Sequence, residues 1–175
     1  MAKLNFDHAA WMKGLDNLGS PKLRESLARS MAVAGGTVLR DEAKRWVPNG
    51  EKSNSKTPGL LERSIYLAYS EKRSTPSRPV YSVSWNTSRG PNRAPHGHLI
   101  EFGHWQTHAS YQGPDGQWRT GAPLPSPKWV AAKPFLRPAQ DVAGAQAVQA
   151  MIDRGRERLP ELLRDLYQPA DEDFV

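Results

Sequence analysis

Ala132-Lys133-Pro134-Phe135-Leu136-Arg137-Pro138-Ala139 divides the chain into two kinds of sequence. Phe135 and Leu136 form an apolar plug, and Pro138 supplies the fixed φ that suits the start of a helix. After it, Val142, Ala145, Val148, Ile152, Leu159, Leu162 and Leu166 recur at helical spacing and predict a long closing helix. Leu159-Pro160 predicts a kink or a restart within that helix. Before the octapeptide, Pro123, Pro125 and Pro127 argue for an extended run without regular pairing. Gln112-Gly113-Pro114-Asp115-Gly116-Gln117 reads as the tip between two extended pieces, Trp105–Tyr111 and Gln117–Thr120. Residues 104–131 are therefore expected to project as a loop or β arm.

Further upstream the period changes again. Ile65, Leu67 and Tyr69 alternate with Tyr66, Ala68 and Ser70, which predicts a strand over Arg63–Glu71. Val80–Asn86 repeats the alternation, and Thr75-Pro76-Ser77-Arg78-Pro79 links the two as an antiparallel pair. Leu99–Phe102 is expected to be a third strand, with Glu101 facing away from Ile100 and Phe102, and Gly103 allowing a sharp exit. Ser20-Pro21 marks the start of a long helix whose apolar stripe is Leu23, Leu27, Met31, Ala34 and Val38. Gly35-Gly36 lies within it at a cost of roughly 2 kcal/mol relative to alanine, which close approach of another backbone, or a kink, would explain. Val47-Pro48-Asn49-Gly50 ends it, residues 49–58 are expected to be a mobile loop, and residues 5–18 a short lead-in helix. The fold class that follows is α+β: a small antiparallel sheet of three to four strands flanked by the long N-terminal helix and a kinked C-terminal one. The expected organisation is one domain over residues 1–168, with an acidic tail over 169–175.

Composition narrows the class of protein. The chain has 175 residues, 38% of them hydrophobic, which suits one modest core. Fifteen Pro and fourteen Gly call for long connections. Four of the six tryptophans (Trp85, Trp105, Trp118 and Trp129) lie in or beside the loop-rich centre, where such residues serve as partner anchors or as core filler. Net charge is +6 overall, arising from +10 over residues 1–140 and −4 over 141–175. A basic body with an acidic tail suits contact between copies, or a basic face beside nucleic acid. The absence of cysteine excludes disulfides and thiolate metal sites. No stretch approaches the roughly 20 apolar residues of a membrane span, and the first residues lack the apolar core of a signal peptide, so a soluble protein made without export is expected.

Three phrases carry a resemblance. They are Thr57-Pro58-Gly59-Leu60-Leu61-Glu62-Arg63-Ser64-Ile65, then His98-Leu99-Ile100-Glu101-Phe102-Gly103-His104, then the octapeptide. In this order, between two long helices, they resemble the tail-component family of long-tailed bacteriophages, which includes neck and tail-completion proteins of the head–tail junction. Gly59, Leu60, Arg63, Ser64 and Ile65 match its first segment, with Pro58 inserted after Thr57 and the arginine displaced. Glu101, Phe102 and Gly103 match the second, where His104 replaces the usual threonine. Pro134, Phe135, Leu136, Arg137, Pro138 and Ala139 match the third in full. The resemblance implies a structural virion protein with no enzymatic activity and no cofactor, made in the host cytoplasm. It also implies assembly as a homo-oligomeric ring, most simply hexameric, around the DNA path. The implied partners are a tail terminator or tail-tube protein on one side and head-closure or connector proteins on the other, with no membrane.

The residues themselves suggest further roles. Glu101 is expected to pair with Arg137 or Arg63 and so tie sheet to closing helix. Lys72, Arg73, Arg78, Arg89 and Arg93 sit on or beside the strand-linking loops and are the candidates for sequence-blind attraction to genomic DNA. Trp105, Tyr111, Trp118 and Trp129 mark the arm as partner-facing. The competing class is a DNA-binding or metal-dependent nuclease-like accessory protein using His96, His98, His104 and His108. Against chemistry stand the absence of a nucleophile elbow or a phosphate-cradling loop, and the adjacency of Asp41 and Glu42, which splays them apart on a helix.

Overall fold

The computed structural model describes residues 21–53, 57–88, 90–116 and 118–166. The lead-in helix expected over 5–18, the tail 169–175 and Arg89 lie outside the described residues. The elements in order are α1 (Pro21–Trp46), α2 (Asn49–Ser53), α3 (Leu60–Ser64), β1 (Ile65–Tyr69), β2 (Tyr81–Trp85), α4 (Gly97–Phe102), β3 (His104–Gln112), β4 (Trp118–Val130) and α5 (Leu136–Leu166). A 3-10 turn, Glu71–Arg73, follows β1. The architecture is α+β, with a long helix near each end and two small antiparallel sheets, β1–β2 and β3–β4.

Several expectations are corrected. The single sheet is two separate pairs, because Leu99–Phe102 is a helical turn within α4 and no longer available as a third strand. Residues 49–53 of the expected mobile loop form α2, whose Glu51 N–H bonds to the Pro48 carbonyl. The strand expected from Arg63 begins two residues later, since Leu60–Ser64 closes into α3 first. Pro138 does not open the last helix, which starts at Leu136 and places Pro138 in its first turn, where a missing N–H costs nothing. Pro160 lies inside α5 without dividing it in two. The proline run 123–127, expected to resist pairing, belongs to β4. Its accommodation is local: His108 pairs with Pro123 and Gln106 with Lys128, so Thr107 alone opposes residues 124–127. Pro125 and Pro127 sit in that bulge, away from positions where a ladder N–H is needed.

Contacts divide the chain into two compact units. Among the described residues, one comprises 21–39, Leu67–Ser82 and 143–166. Its core is Leu27, Met31 and Leu162, with Leu23, Met151 and Leu159 packed against them. Leu27 and Met31 lie on the expected α1 stripe, and Gly35 continues it. A Cβ on Gly35 would lie 2.9 Å from the Ala147 carbonyl oxygen and 2.5 Å from Met151 Cγ, so the glycine permits close approach of α5. Gly36 similarly admits Leu67. On α5 the buried residues are Ala139, Ala143, Gly144, Ala147, Gly155 and Leu162, whereas Val142 is 63% exposed. Of the expected face, Leu159 and Leu162 do enter the core, whereas Val142 and Ala145 near the start of the helix are exposed and the small residues beside them are buried instead. Close helix approach selects small residues at i, i+4 spacing over bulkier ones beside them.

The other unit comprises Arg40–Tyr66 and Val83–Val142. Its buried cluster is Ala43, Val47, Leu61, Ile65, Ala94, Phe135 and Ala139, ringed by Leu60, Val83, Trp85, Ile100 and Leu136. Phe135 is fully buried and meets the Trp85 ring edge-on at 5.6 Å. Full burial of a side chain of this size contributes about 1.5–3 kcal/mol.

Candidate functional site

The three sequence phrases meet in this second cluster. Leu61 and Ile65 come from the first, Ile100 from the second, and Phe135, Leu136 and Ala139 from the third. Gly59 adopts φ 70° at the start of α3, a left-handed conformation that disfavours other residues. The turn is closed by backbone, Leu60 N–H to Thr57 C=O at 3.1 Å, and the Thr57 side chain does not cap α3. Ser64 is buried and donates its hydroxyl to the Leu61 carbonyl at 2.6 Å, which terminates α3 where β1 begins.

Glu101 holds the second phrase to the third. Its residue exposure is 1%, and Oε2 accepts from the backbone N–H of Phe135 at 2.7 Å and of Leu136 at 3.0 Å. Those amides sit at the start of α5 and have no partner within the helix, so the carboxylate fills the role of an N-terminal cap. Arg137 Nε donates to Oε1 at 3.2 Å, and its Nη2 donates to the Glu101 carbonyl at 2.7 Å. Of the two candidate arginines, Arg137 is the partner. Arg63 is exposed and donates to the Pro58 carbonyl at 3.0 Å. Phe102, expected on the Ile100 face of a strand, is 62% exposed with the Arg137 guanidinium 5.6 Å from its ring centroid. The helical turn sends Phe102 outward and Glu101 inward. Gly103, at φ 77°, makes the exit into β3: a Cβ there would lie 2.8 Å from the Val130 carbonyl oxygen. Pro134 is half-buried and leads the chain onto the plug.

The β3–β4 arm has the opposite character. In residues 104–130 the described side chains are exposed or half-buried, and Gly113 alone is buried. Trp105 is 61% exposed and Trp129 49%, yet their rings pack edge-on at 5.3 Å across a directly paired position. Tyr111 and Trp118 are half exposed near the far end, opposite Arg119 and Gln112 respectively. Beside the base of the arm lies a half-open cleft of ≈ 230 Å³, lined by Pro48, Leu99, Ile100, Val130 and the polar His104, Glu51 and Lys133.

The remaining candidates are dispersed. His96 bonds to Glu51 at 3.1 Å, His98 Nδ1 lies 2.7 Å from the Pro95 carbonyl, and His108 Nδ1 lies 3.0 Å from the Thr107 hydroxyl. Among the described residues no group of three His, Asp or Glu side chains converges as a metal site would. Of the basic residues, Lys72, Arg73 and Arg78 belong to one compact unit and Arg93 to the other. Arg73 bonds to the hydroxyls of Ser70 and Ser82, and Arg93 to the Thr87 carbonyl, so both shape turns. Lys72 and Arg78 are exposed. At the end of α1, Arg40 donates to Asp41 at 2.8 Å and holds that carboxyl below its usual range.

Sequence reasoning missed the Glu51–His96 bond and the fully buried Ala94. It also missed the capping role of Glu101. An acidic residue set in an otherwise apolar phrase was the available signal, but four residues carry too little periodicity to separate a turn of helix from a strand. No protein family, curated protein or solved structure matches the chain.

Proposed function

We propose that this protein is a structural part of a phage virion, a neck, tail-completion or minor tail component that joins the tail to the head connector. In this reading it works by assembly, as a homo-oligomeric ring around the DNA path, with no catalytic turnover. The observation that carries it is the meeting of the three family-like phrases in one buried cluster, with Glu101 bonded to the amides that open α5. Residues so placed specify a scaffold; they are not arranged to face a substrate. The exposed tryptophans of the arm supply the contacts a building block needs, since aromatic anchors dominate protein interfaces. Lys72, Arg73, Arg78 and Arg93 are all exposed, and since the side chains of Arg73 and Arg93 are engaged in turns, Lys72 and Arg78 are the better suited to loose phosphate contact.

Electron microscopy of virions assembled without the protein is the test. Unattached heads and tails are expected; intact infectious virions overturn the junction role. Negative-stain images of the purified protein test the ring separately. Metal-dependent DNA cleavage by the purified protein, abolished by His98→Ala, would instead establish the nuclease-like alternative.

A further inference from the structure

The two outer edges of the arm are unlike. β4 carries Pro123, Pro125 and Pro127, which cannot donate to a further strand. β3, the nine residues His104-Trp105-Gln106-Thr107-His108-Ala109-Ser110-Tyr111-Gln112, contains no proline, Lys, Arg, Asp or Glu. Among the described residues no backbone hydrogen bond joins β3 to any element except β4. Natural edge strands are guarded by charge, proline, short length or bulges; β3 lacks the first three, and at the two register shifts that flank His108 the extra residues belong to β4. A two-stranded hairpin exposed on both faces is also marginal by itself in water.

We infer that two copies of this protein pair through the outer edge of β3, antiparallel and centred on His108, to form one four-stranded sheet. The strand's own sequence argues for a second copy as the occupant. Centring on His108 engages all nine residues and sets Trp105 opposite Tyr111 of the partner subunit, twice by symmetry. Trp105 and Tyr111 lie six residues apart and so share a face of the sheet, where directly opposed aromatics interact favourably. Trp129, already packed on Trp105, extends that row. Thr107 meets Ala109 of the partner subunit, His108 meets His108 of the partner subunit, and no Lys, Arg, Asp or Glu is opposed. Register shifts of two residues lose the aromatic pairing and shorten the overlap. The contact is isologous and closes at two copies. It is therefore separate from the heterologous contacts of a ring, and describes how the arm is covered before such assembly.

The absence of cysteine gives a direct test. His108→Cys brings one thiol per chain to the twofold axis, where directly opposed Cα atoms are about 4.5–5.5 Å apart, within disulfide reach. Sedimentation of the full chain should show a reversible monomer–dimer equilibrium. Mild oxidation of His108→Cys should give mostly covalent dimer, and Ser126→Cys on the proline-bearing strand should not. Thr107→Lys with Ala109→Lys opposes ammonium groups across the pair and should weaken dimerisation about tenfold or more. Thr107→Lys with Ala109→Glu should restore it, which shows that the charged variant folds. A protein monomeric at all concentrations, equal crosslinking at both cysteine positions, or charge variants that behave alike overturns the proposal. Rings without crosslinking at position 108 also overturn it while leaving the ring reading intact. Crosslinked dimers that never form rings do the reverse.

Discussion

The Phe135 cluster and the β3–β4 arm belong to the same compact unit and solve opposite problems. The cluster gathers three segments distant in sequence, removes Phe135, Leu61 and Glu101 from water, and satisfies the one buried charge with two amides and a guanidinium. The arm folds back on its neighbour in sequence and leaves Trp105, Tyr111, Trp118 and Trp129 in solvent. Apolar burial is therefore concentrated in the first region, and the second leaves its aromatic surface uncovered. Large apolar side chains stabilise the monomer only where other parts of the chain cover them.

Substitutions break this contrast if it is wrong. Phe135→Ala removes a fully buried ring and should lower unfolding free energy by about 3–5 kcal/mol in chemical denaturation. A loss under about 1 kcal/mol would mean that the cluster is not the core. Glu101→Ala strands one buried and one part-buried amide, each losing a charge-assisted bond worth about 1.5–3 kcal/mol, so roughly 3 kcal/mol is expected. Arg137→Ala should cost about 1 kcal/mol or less, since that side chain is 59% exposed. Equal losses for the two would show that the ion pair, and not the capping of α5, carries the energy.

Gly35→Ala tests the other compact unit. The new methyl meets the Ala147 carbonyl oxygen, a backbone atom that cannot rotate away, and about 1–3 kcal/mol of destabilisation is expected despite alanine's better helix propensity. Gly36→Ala meets only the Leu67 side chain and should cost less. Trp105→Ala with Trp129→Ala should change monomer unfolding by about 1 kcal/mol or less while impairing self-association measured by sedimentation. A large loss of monomer stability would place the arm in the core. Smallest is Asp41→Asn. Arg40 lowers the folded-state pKa of Asp41, so its contribution is present above the ordinary carboxylate range and fades as pH falls through the lowered value. With the carboxylate 48% exposed, a few tenths of a kcal/mol in acid titration of stability is the expected scale.

Legibility followed the length of each pattern. Twenty-six residues of α1 carry several turns of periodicity, and Leu27 and Met31 were readable as core from spacing alone. The alternation of β1 and β2 was readable for the same reason. Six residues of α4 carry one turn and a half, and the Leu-Ile-Glu-Phe run fits a strand equally well. On α5, size misled: Val142 outranks Ala143 in hydropathy, but only Ala143 fits against a closely approaching helix.

By itself the sequence determined the two long helices, the β1–β2 pair, the turn at the arm's tip and the three phrases that anchor the scaffold. Each is set by local periodicity, by proline and glycine, or by a run of anchors, all of which act over neighbouring residues. Only the tertiary structure decided that Glu101 points inward to cap α5, that Phe102 points out, that α5 buries Ala139, Ala143 and Ala147 while leaving Val142 in solvent, and that a proline-rich run can be a strand. These outcomes depend on which distant segment supplies an unsatisfied amide, a close backbone or a bulge to accommodate, and no local pattern encodes that partner.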